Sequence, residues 1–203
     1  MAREKVRRFQ EWTYWGKPLP GFGDPRARLW VVGLAPAAHG GNRTGRIFTG
    51  DRSGDWLYAA LHRAGFANQP TSVSRDDGLA LRDTYVSAVV RCAPPDNKPT
   101  IEERDRCLPY LVEELRLLER VRVFVALGGF AFANVLRVLR GAGERPNATP
   151  RFGHGVVTKL DSGRVVIGCY HPSQQNTFTG RLTEKMLDQV FARAKRILST
   201  GYR

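Results

Sequence analysis

Asp51 and His171 are the ionisable residues whose settings in the sequence are most typical of a reaction site. Each stands in a polar loop that follows a run of apolar residues. A carboxylate in such a loop can orient a water molecule or stabilise positive charge, and a histidine can donate to a developing negative charge. Taken alone, Asp51 fits a turn or a helix cap, and His171, which precedes Pro172, fits the end of a strand. Together they favour a functional site.

The loop before Asp51 belongs to the segment 31–55, VVGLAPAAHGGNRTGRIFTGDRSGD, which holds six glycines. Glycine-dense backbone between a buried strand and a helix lets N–H groups approach a ligand closely. A helix is predicted to follow, with Ser53 or Asp55 as its N-cap. Phe48 is an aromatic residue in this mostly polar loop. It is either a platform on which a base stacks or a hydrophobic anchor of the loop.

Two reaction classes lack their sequence signatures, because neither a GxSxG nucleophile motif nor a GxxxxGK[ST] phosphate loop is present. The chain has three cysteines and no CxxC pair. Cys92 and Cys107 are 15 residues apart, and that spacing alone indicates free buried thiols rather than a metal site. Cys169 lies inside a predicted strand. Three cysteines do not suggest a disulfide framework, so we expect a reducing, cytoplasmic compartment.

Strand-like and helix-like segments alternate along the chain. Apolar runs typical of strands buried on both faces of a parallel sheet lie at residues 28–34, 84–90, 121–127 and 164–170. Helical patterns lie at residues 54–65, 100–120, 129–140 and 183–198. Thr100 and Glu103 form a capping-box pattern, and Thr183 is a predicted cap. The sequence therefore predicts an α/β fold: one three-layer α/β/α domain over residues 1–203, with a central four-stranded parallel sheet.

Polar side chains follow three of the four predicted strands. The loop after the first strand leads to Asp51, the loop after the second holds Asn97, and the loop after the fourth holds His171. Ligands of such sheets bind at the carboxyl ends of the strands. We therefore expect the three loops to converge on one cleft.

The chain is strongly basic, with 32 Lys and Arg against 19 Asp and Glu, a net charge of +13 and a pI near 10.4. Such a surface attracts polyanions, which favours nucleic acid as the partner. Residues 1–27 read as a basic N-terminal arm with interleaved aromatic residues, which either touches nucleic acid or, as we favour, docks on its own domain. No apolar run is long enough to span a membrane, and the N-terminus is not typical of a secretory signal.

At this point two long motifs are recognisable. The segments GLAPAAHGGNRTGRIFTGD and YHPSQQNTFTGRLT resemble the uracil-DNA glycosylase superfamily, and more narrowly its broad-specificity family 5; VRCAPPDNKPT and ERDRCLPYL match as well. The resemblance implies the α/β/α glycosylase fold. It also implies a monofunctional DNA-repair enzyme that hydrolyses the N-glycosidic bond of uracil and other deaminated bases in double-stranded DNA, leaving an abasic site. Such an enzyme is expected to be a monomer in the prokaryotic cytoplasm, associated with the nucleoid.

The resemblance also implies roles for individual residues. Asp51 takes over the water-activating role of a carboxylate that family 4 carries where Leu34 stands, with His171 and Asn97 as the other catalytic positions. Ala88 replaces a uracil-reading Asn of stricter relatives, which should relax the choice of base toward hypoxanthine. The expected base-binding residues are Gly33, Ala35, Ala37, Phe48 and Ala88. The expected DNA-binding residues, among which the wedge is not identified, are Ser173, Gln174, Gln175, Asn176 and Arg181.

A 4Fe–4S cluster is the cofactor that the family implies, held by four cysteines. Cys92 and Cys107 match the second pair of ligands, whereas the first pair, a CxxC near the N-terminus, is missing from this sequence. We expect either that the start is truncated, which we favour, or that this member has lost its cluster. The metal-ligand assignment of Cys92 and Cys107 therefore depends on the missing CxxC.

Two other functions stay open from the sequence. The first is a non-catalytic protein that binds lesions or DNA on the same fold, which the missing cysteines and Leu34 favour. The second is a small-nucleotide hydrolase or transferase, which the basic charge and the absent phosphate-loop lysine disfavour.

Overall fold

The valine-rich runs of the sequence form the parallel centre of a six-stranded sheet in the computed structural model, which describes residues 5–200. The strands are β1 (Phe22–Gly23), β2 (Leu29–Gly33), β3 (Thr84–Ala88), β4 (Val123–Leu127), β5 (Val157–Lys159) and β6 (Val165–Cys169). The α-helices are α1 (Gly41–Thr44), α2 (Arg52–Ala64), α3 (Ile101–Leu117), α4 (Gly129–Gly141), α5 (Gln174–Phe178) and α6 (Glu184–Thr200). Two 3₁₀ turns cover Arg7–Phe9 and Pro95–Asn97.

The sheet has the strand order β1-β3-β2-β4-β6-β5. The four central strands run parallel, as predicted, whereas β1 and β5 pair antiparallel at the two edges. The four predicted parallel strands are therefore confirmed as the centre of the sheet, and the two edge strands were not predicted. β1 and β5 have only two and three residues, and strands that short carry no periodic apolar pattern.

The chain leaves β2 toward β3 on one side of the sheet and later returns to β4 on the other side. Such a reversal opens a crevice between the loops at the carboxyl ends of the strands, where ligands of open α/β sheets bind. The loop after β2, which leads to Asp51, lies at this point. The sheet order thus places the glycine-rich loop where a binding site is expected.

Both faces of the parallel strands are covered, which explains their continuous apolar runs. Leu29 and Val31 of β2 belong to the core layer under α2 and α6, whereas Trp30 and Val32 belong to the layer under α3 and α4. Full burial of such a Val or Leu side chain contributes about 1.5–3 kcal/mol. The three-layer α/β/α arrangement is confirmed.

Helix caps fix where the helices begin. The Thr100 side chain accepts a hydrogen bond from the Glu103 N–H, and both halves of the capping box are present. Thr183 accepts from the N–H of Met186 at the start of α6, as predicted. The N-cap of α2 is Asp51, so the prediction of Ser53 or Asp55 is wrong. No helix within residues 5–200 is both long and apolar enough to cross a membrane.

The N-terminal arm docks on its own domain, as far as the structure describes it; residues 1–4 of the predicted arm lie outside the described part. The rings of Phe9 and Trp12 lie on the guanidinium of Arg43, with ring centroids 4.0 and 4.1 Å from its Cζ. The Tyr14 hydroxyl shares a 2.9 Å hydrogen bond with Nδ1 of His39. Docking of the described part of the arm is therefore observed, whereas contact of the arm with nucleic acid stays a prediction.

Candidate active site

A cleft of about 1130 Å³ opens at the carboxyl ends of the parallel strands. Its walls are the loop after β2, the start of α2, the turn after β3 and the segment from β6 through α5, and the N-terminal arm and residues 72–73 complete the lining. The three polar loops expected to converge therefore meet at one site. Of the sequence-predicted residues, those that line the cleft are Ala35, Ala37, Phe48, Asp51, Asn97, His171, Ser173, Gln174 and Gln175.

Asp51 faces this cleft from the N-terminus of α2. Its Oδ1 accepts a 2.9 Å hydrogen bond from the Gly54 N–H, and its Oδ2 lies directly against the backbone of Gly40, where a Cβ atom would overlap it. Burial raises the pKa of the Asp51 carboxyl, while the Gly54 N–H and the Arg43 guanidinium act in the opposite direction. The structure thus holds a half-buried carboxylate in one orientation, which suits it to stabilise a cation or to accept a proton.

Arg43 pins the loop on both sides of the site. Its Nε donates to the carbonyl of His39 at 2.7 Å, and its Nη2 donates to the carbonyl of Gly50 at 3.1 Å. The rings of Phe9 and Trp12 cover the same guanidinium. Because Gly50 directly precedes Asp51, the docked arm supports the backbone that carries the carboxylate.

Phe48 is both a buried anchor and a wall of the cleft. Its ring packs against that of His171, with centroids 5.8 Å apart and planes at 34°. Only 5% of the residue is exposed, and its φ of 52° lies in the left-handed region, which is unfavourable for a bulky residue. Gly33 lies directly beneath the ring, where a Cβ would come within 2.6 Å of it. The loop is therefore strained in order to bring this aromatic ring to the site.

His171 follows β6 and is fixed from behind, because the Asn176 side chain donates a 2.8 Å hydrogen bond to its carbonyl. Burial lowers the pKa of the His171 imidazole to about 4. The ring is therefore neutral near pH 7, and a neutral imidazole has one N–H that can donate to an anion. A neutral donor of this kind is suited to a group that becomes negative during a reaction.

Asn97 reaches the cleft from the turn after β3. It and the preceding Asp96 both have positive φ values, 55° and 51°. Asn and Asp tolerate this conformation better than other residues with a side chain. The turn presents the exposed Asn97 amide at the rim of the cleft rather than at its floor.

Four of the predicted residues do not line the cleft. Gly33 and Ala88 are paired in the β2–β3 ladder, and Ala88 is buried behind the site. Asn176 turns back to the His171 carbonyl. Arg181 is exposed and lies over the ring of Tyr170, with its Cζ 4.8 Å from the ring centroid. None of these four residues lies on the wall of the cleft, and their predicted contacts with base or DNA stay predictions.

The sequence interpretation missed several side chains that do line the cleft, namely Arg8, His39, Arg43, Arg52, Asp55 and Phe178. Most are arginines or aromatics, which occur throughout this chain and give no local signal. Phe178 stands out in the structure because 69% of this aromatic residue is exposed.

Cys92 and Cys107 lie close together, away from the cleft lining. Cys92 is exposed and Cys107 is half-buried, so the prediction of buried thiols is wrong for Cys92. The Cys107 thiol accepts from the Arg91 N–H, and the pKa of the Cys92 thiol is raised first by burial and then by Cys107. Cys169 is buried in β6, as predicted. Within residues 5–200 no group of three or more His, Cys, Asp or Glu side chains could hold a metal. A cubane cluster takes four ligands, so the described residues do not provide a complete cluster site.

Comparison with known proteins yields one consistent group. The model of the "Uracil DNA glycosylase superfamily" matches residues 20–195. A type-5 uracil-DNA glycosylase of Mycobacterium tuberculosis is 59% identical over 198 residues, covering 97% of this chain and 73% of that protein. The type-5 enzyme of Mycobacterium leprae is 57% identical over 198 residues, covering 97% and 85%. That of Thermus thermophilus is 51% identical over 199 residues, covering 96% and 89%.

Proposed function

This chain belongs to the uracil-DNA glycosylase superfamily, and from that premise we propose that it hydrolyses the N-glycosidic bond of uracil and other deaminated bases in double-stranded DNA. The product is an abasic site and a free base. The observation that carries this proposal is the cleft in which Asp51, Asn97 and His171 face one space beside Phe48. The Asp51 carboxylate and the neutral His171 donor line the same cleft, which suits a reaction in which a positive sugar and a negative base separate.

The substrate reaches this cleft by leaving the base stack. An atom inside a duplex is inaccessible to such a site, so the target nucleotide rotates outward. The net charge of +13 favours binding to the phosphates. The ring of Phe48 and the backbone around Ala35 and Ala37 then receive the base. Ala88 is small and buried behind the site. Since the resemblance implies that stricter relatives carry a uracil-reading Asn at this position, we propose that the missing amide relaxes the choice of base to include hypoxanthine.

Bond cleavage separates two charges, and the residues of the cleft match them. The bond between C1′ and the base nitrogen breaks with its electron pair going to the base. His171 donates a hydrogen bond to the base as negative charge grows there. Asp51 stabilises the oxocarbenium-like sugar and orients the water whose oxygen bonds to C1′, with Asn97 helping to hold that water. The water's proton passes to the base or to solvent.

A cleavage assay tests this proposal. Labelled duplexes that are identical except for one uracil, one hypoxanthine or no lesion are incubated with the protein, and alkali then breaks the strand at abasic sites. We expect cleavage at both lesions and none in the intact duplex. Cleavage at uracil alone would contradict the relaxed pocket. Binding without cleavage at either lesion would overturn the enzymatic proposal in favour of a lesion-binding protein, which Leu34 on the cleft wall favours.

A further inference from the structure

Phe178 is an exposed aromatic side chain at the lip of the cleft. It ends α5, and 69% of the residue is open to solvent. Gln174 and Gln175 lie on the same five-residue helix and also line the cleft. A single exposed apolar side chain is common on protein surfaces, but this one lines the same cleft as Asp51 and His171. The partner expected here is the duplex from which the target base comes.

Arg52 holds the Phe178 ring in place before any partner binds. Its guanidinium lies 4.3 Å from the ring centroid, and its Nε donates a 3.2 Å hydrogen bond to Oγ1 of Thr177. Arg52 is also the residue directly after Asp51. One face of the ring is therefore covered by a cation that is anchored to the helix carrying the carboxylate. The ring projects in a fixed relation to the reaction site.

The other side chains of this segment are occupied or unsuitable for insertion between bases. Ser173 caps α5 through the N–H of Asn176, and the Asn176 amide is bonded to the His171 carbonyl. Gln174 and Gln175 are exposed but polar. Residues that unstack a base step are apolar wedges, and aromatic rings stack on any base. Phe178 alone in residues 173–178 meets this description.

We propose that Phe178 enters the base stack at the position that the flipped nucleotide leaves, and that Arg52 is the positioning residue that orients it. This inference rests on the proposed function. It assigns the wedge to the last residue of α5, whereas the sequence interpretation expected it among the neighbouring residues 173–176. The filled gap prevents the base from returning, so Phe178 acts on the flipping equilibrium and not on bond cleavage.

The test compares two duplexes under single-turnover conditions. One has adenine opposite uracil, and the other has a pyrene nucleotide there, a flat hydrocarbon that fills the space of the whole base pair and keeps uracil outside. The variants are Phe178→Ala, Phe178→Leu, and the control Tyr110→Ala, which removes an aromatic residue of similar exposure, 56%, on α3 away from the cleft. Thermal unfolding verifies that each variant is folded.

On the adenine duplex Phe178→Ala should be slower by about 10- to 100-fold, the equivalent of one lost base–aromatic stack. Leucine should restore part of the rate, and the control should match the unaltered chain. On the pyrene duplex the alanine variant should recover most of its loss. Equal losses on both duplexes, or no loss on the adenine duplex, would overturn the role of Phe178. If the unaltered chain cleaves neither duplex, the proposed function itself has failed.

Discussion

Replacement of Asp51 by Asn separates the chemistry of this residue from its structural role. The Asn side chain has the same size, and its carbonyl oxygen can still accept the Gly54 N–H that caps α2. It fits against Gly40 as the carboxylate does. Only the negative charge is lost. Activity and stability should therefore move in opposite directions.

The expected loss of rate follows from the charge. At an effective dielectric constant of about 20, two unit charges about 4 Å apart attract by about 4 kcal/mol. If Asp51 faces the oxocarbenium-like sugar at such a distance, its removal slows bond cleavage by about 10³-fold. DNA binding should change little, because the basic surface is unaltered. The control Asp76→Asn removes an exposed carboxylate outside the cleft and should leave the rate unchanged.

The stability effect has the opposite sign. Burial raises the pKa of Asp51 above the ordinary value of 3.8, so the fold favours the protonated form. The stabilisation that the protonated carboxyl gives is fully present below the pKa that Asp51 has in the unfolded chain. It is lost as the pH rises through the higher pKa that Asp51 has in the folded chain. At pH 7 the ionised carboxylate destabilises the fold, and Asn removes this effect. The Tm of Asp51→Asn should exceed that of the unaltered chain at pH 7, by about 2–4 °C per kcal/mol.

Single-turnover cleavage and thermal unfolding at pH 7 and at pH 4 or below measure both effects. The difference in Tm between the two proteins should shrink as the pH falls, because Asp51 then becomes protonated. A cleavage rate within tenfold of the unaltered chain would refute the role of the charge. A lower Tm at pH 7 would refute the view that burial makes this carboxylate unfavourable.

Two further substitutions test the neighbours of Asp51. His171→Ala should slow cleavage by about 10²- to 10⁴-fold. Burial in the folded chain lowers the pKa of His171 from its ordinary value of 6.5 to about 4. The free energy of unfolding of the unaltered chain should therefore decline between pH 6.5 and 4 more than that of the variant, as denaturant titrations would reveal. Gly40→Ala should abolish most activity without unfolding the chain, because its methyl group would displace the Asp51 carboxylate. The control Gly141→Ala, with open space around it, should cleave normally in the same assay.

The parallel core could be predicted because its signal is local. Strands such as β4, buried on both faces, need a continuous apolar run wherever they lie. The edge strands β1 and β5 could not be predicted, since their existence depends on the neighbouring strand and not on their own two or three residues. Docking of the arm was predicted, but the packing of its aromatics was not, because Phe9 and Trp12 both pack on Arg43, which lies far from them in the sequence.

The convergence of the candidate residues on one cleft could be predicted, because each of them follows a recognisable strand. Asp51, Asn97 and His171 follow strands whose carboxyl ends meet, so topology alone brings them to one edge of the sheet. Phe178 was missed because its exposure is a property of the folded surface. Gly33 and Ala88 were assigned to the base pocket, yet ladder pairing places them behind its wall.

The sequence left open whether Asp51 is a helix cap or a reaction-site carboxylate. In the structure the cap and the carboxylate that faces the cleft are the same side chain. As the N-cap of α2, Asp51 accepts the Gly54 N–H, and this bond orients its carboxylate. The same N–H and the helix dipole favour the charged form, whereas burial disfavours it and raises the pKa overall. A carboxylate that is oriented but incompletely compensated retains attraction for a cation. Under the proposed mechanism, the cap therefore accounts for the charge that Asp51 would offer to the sugar as it becomes positive.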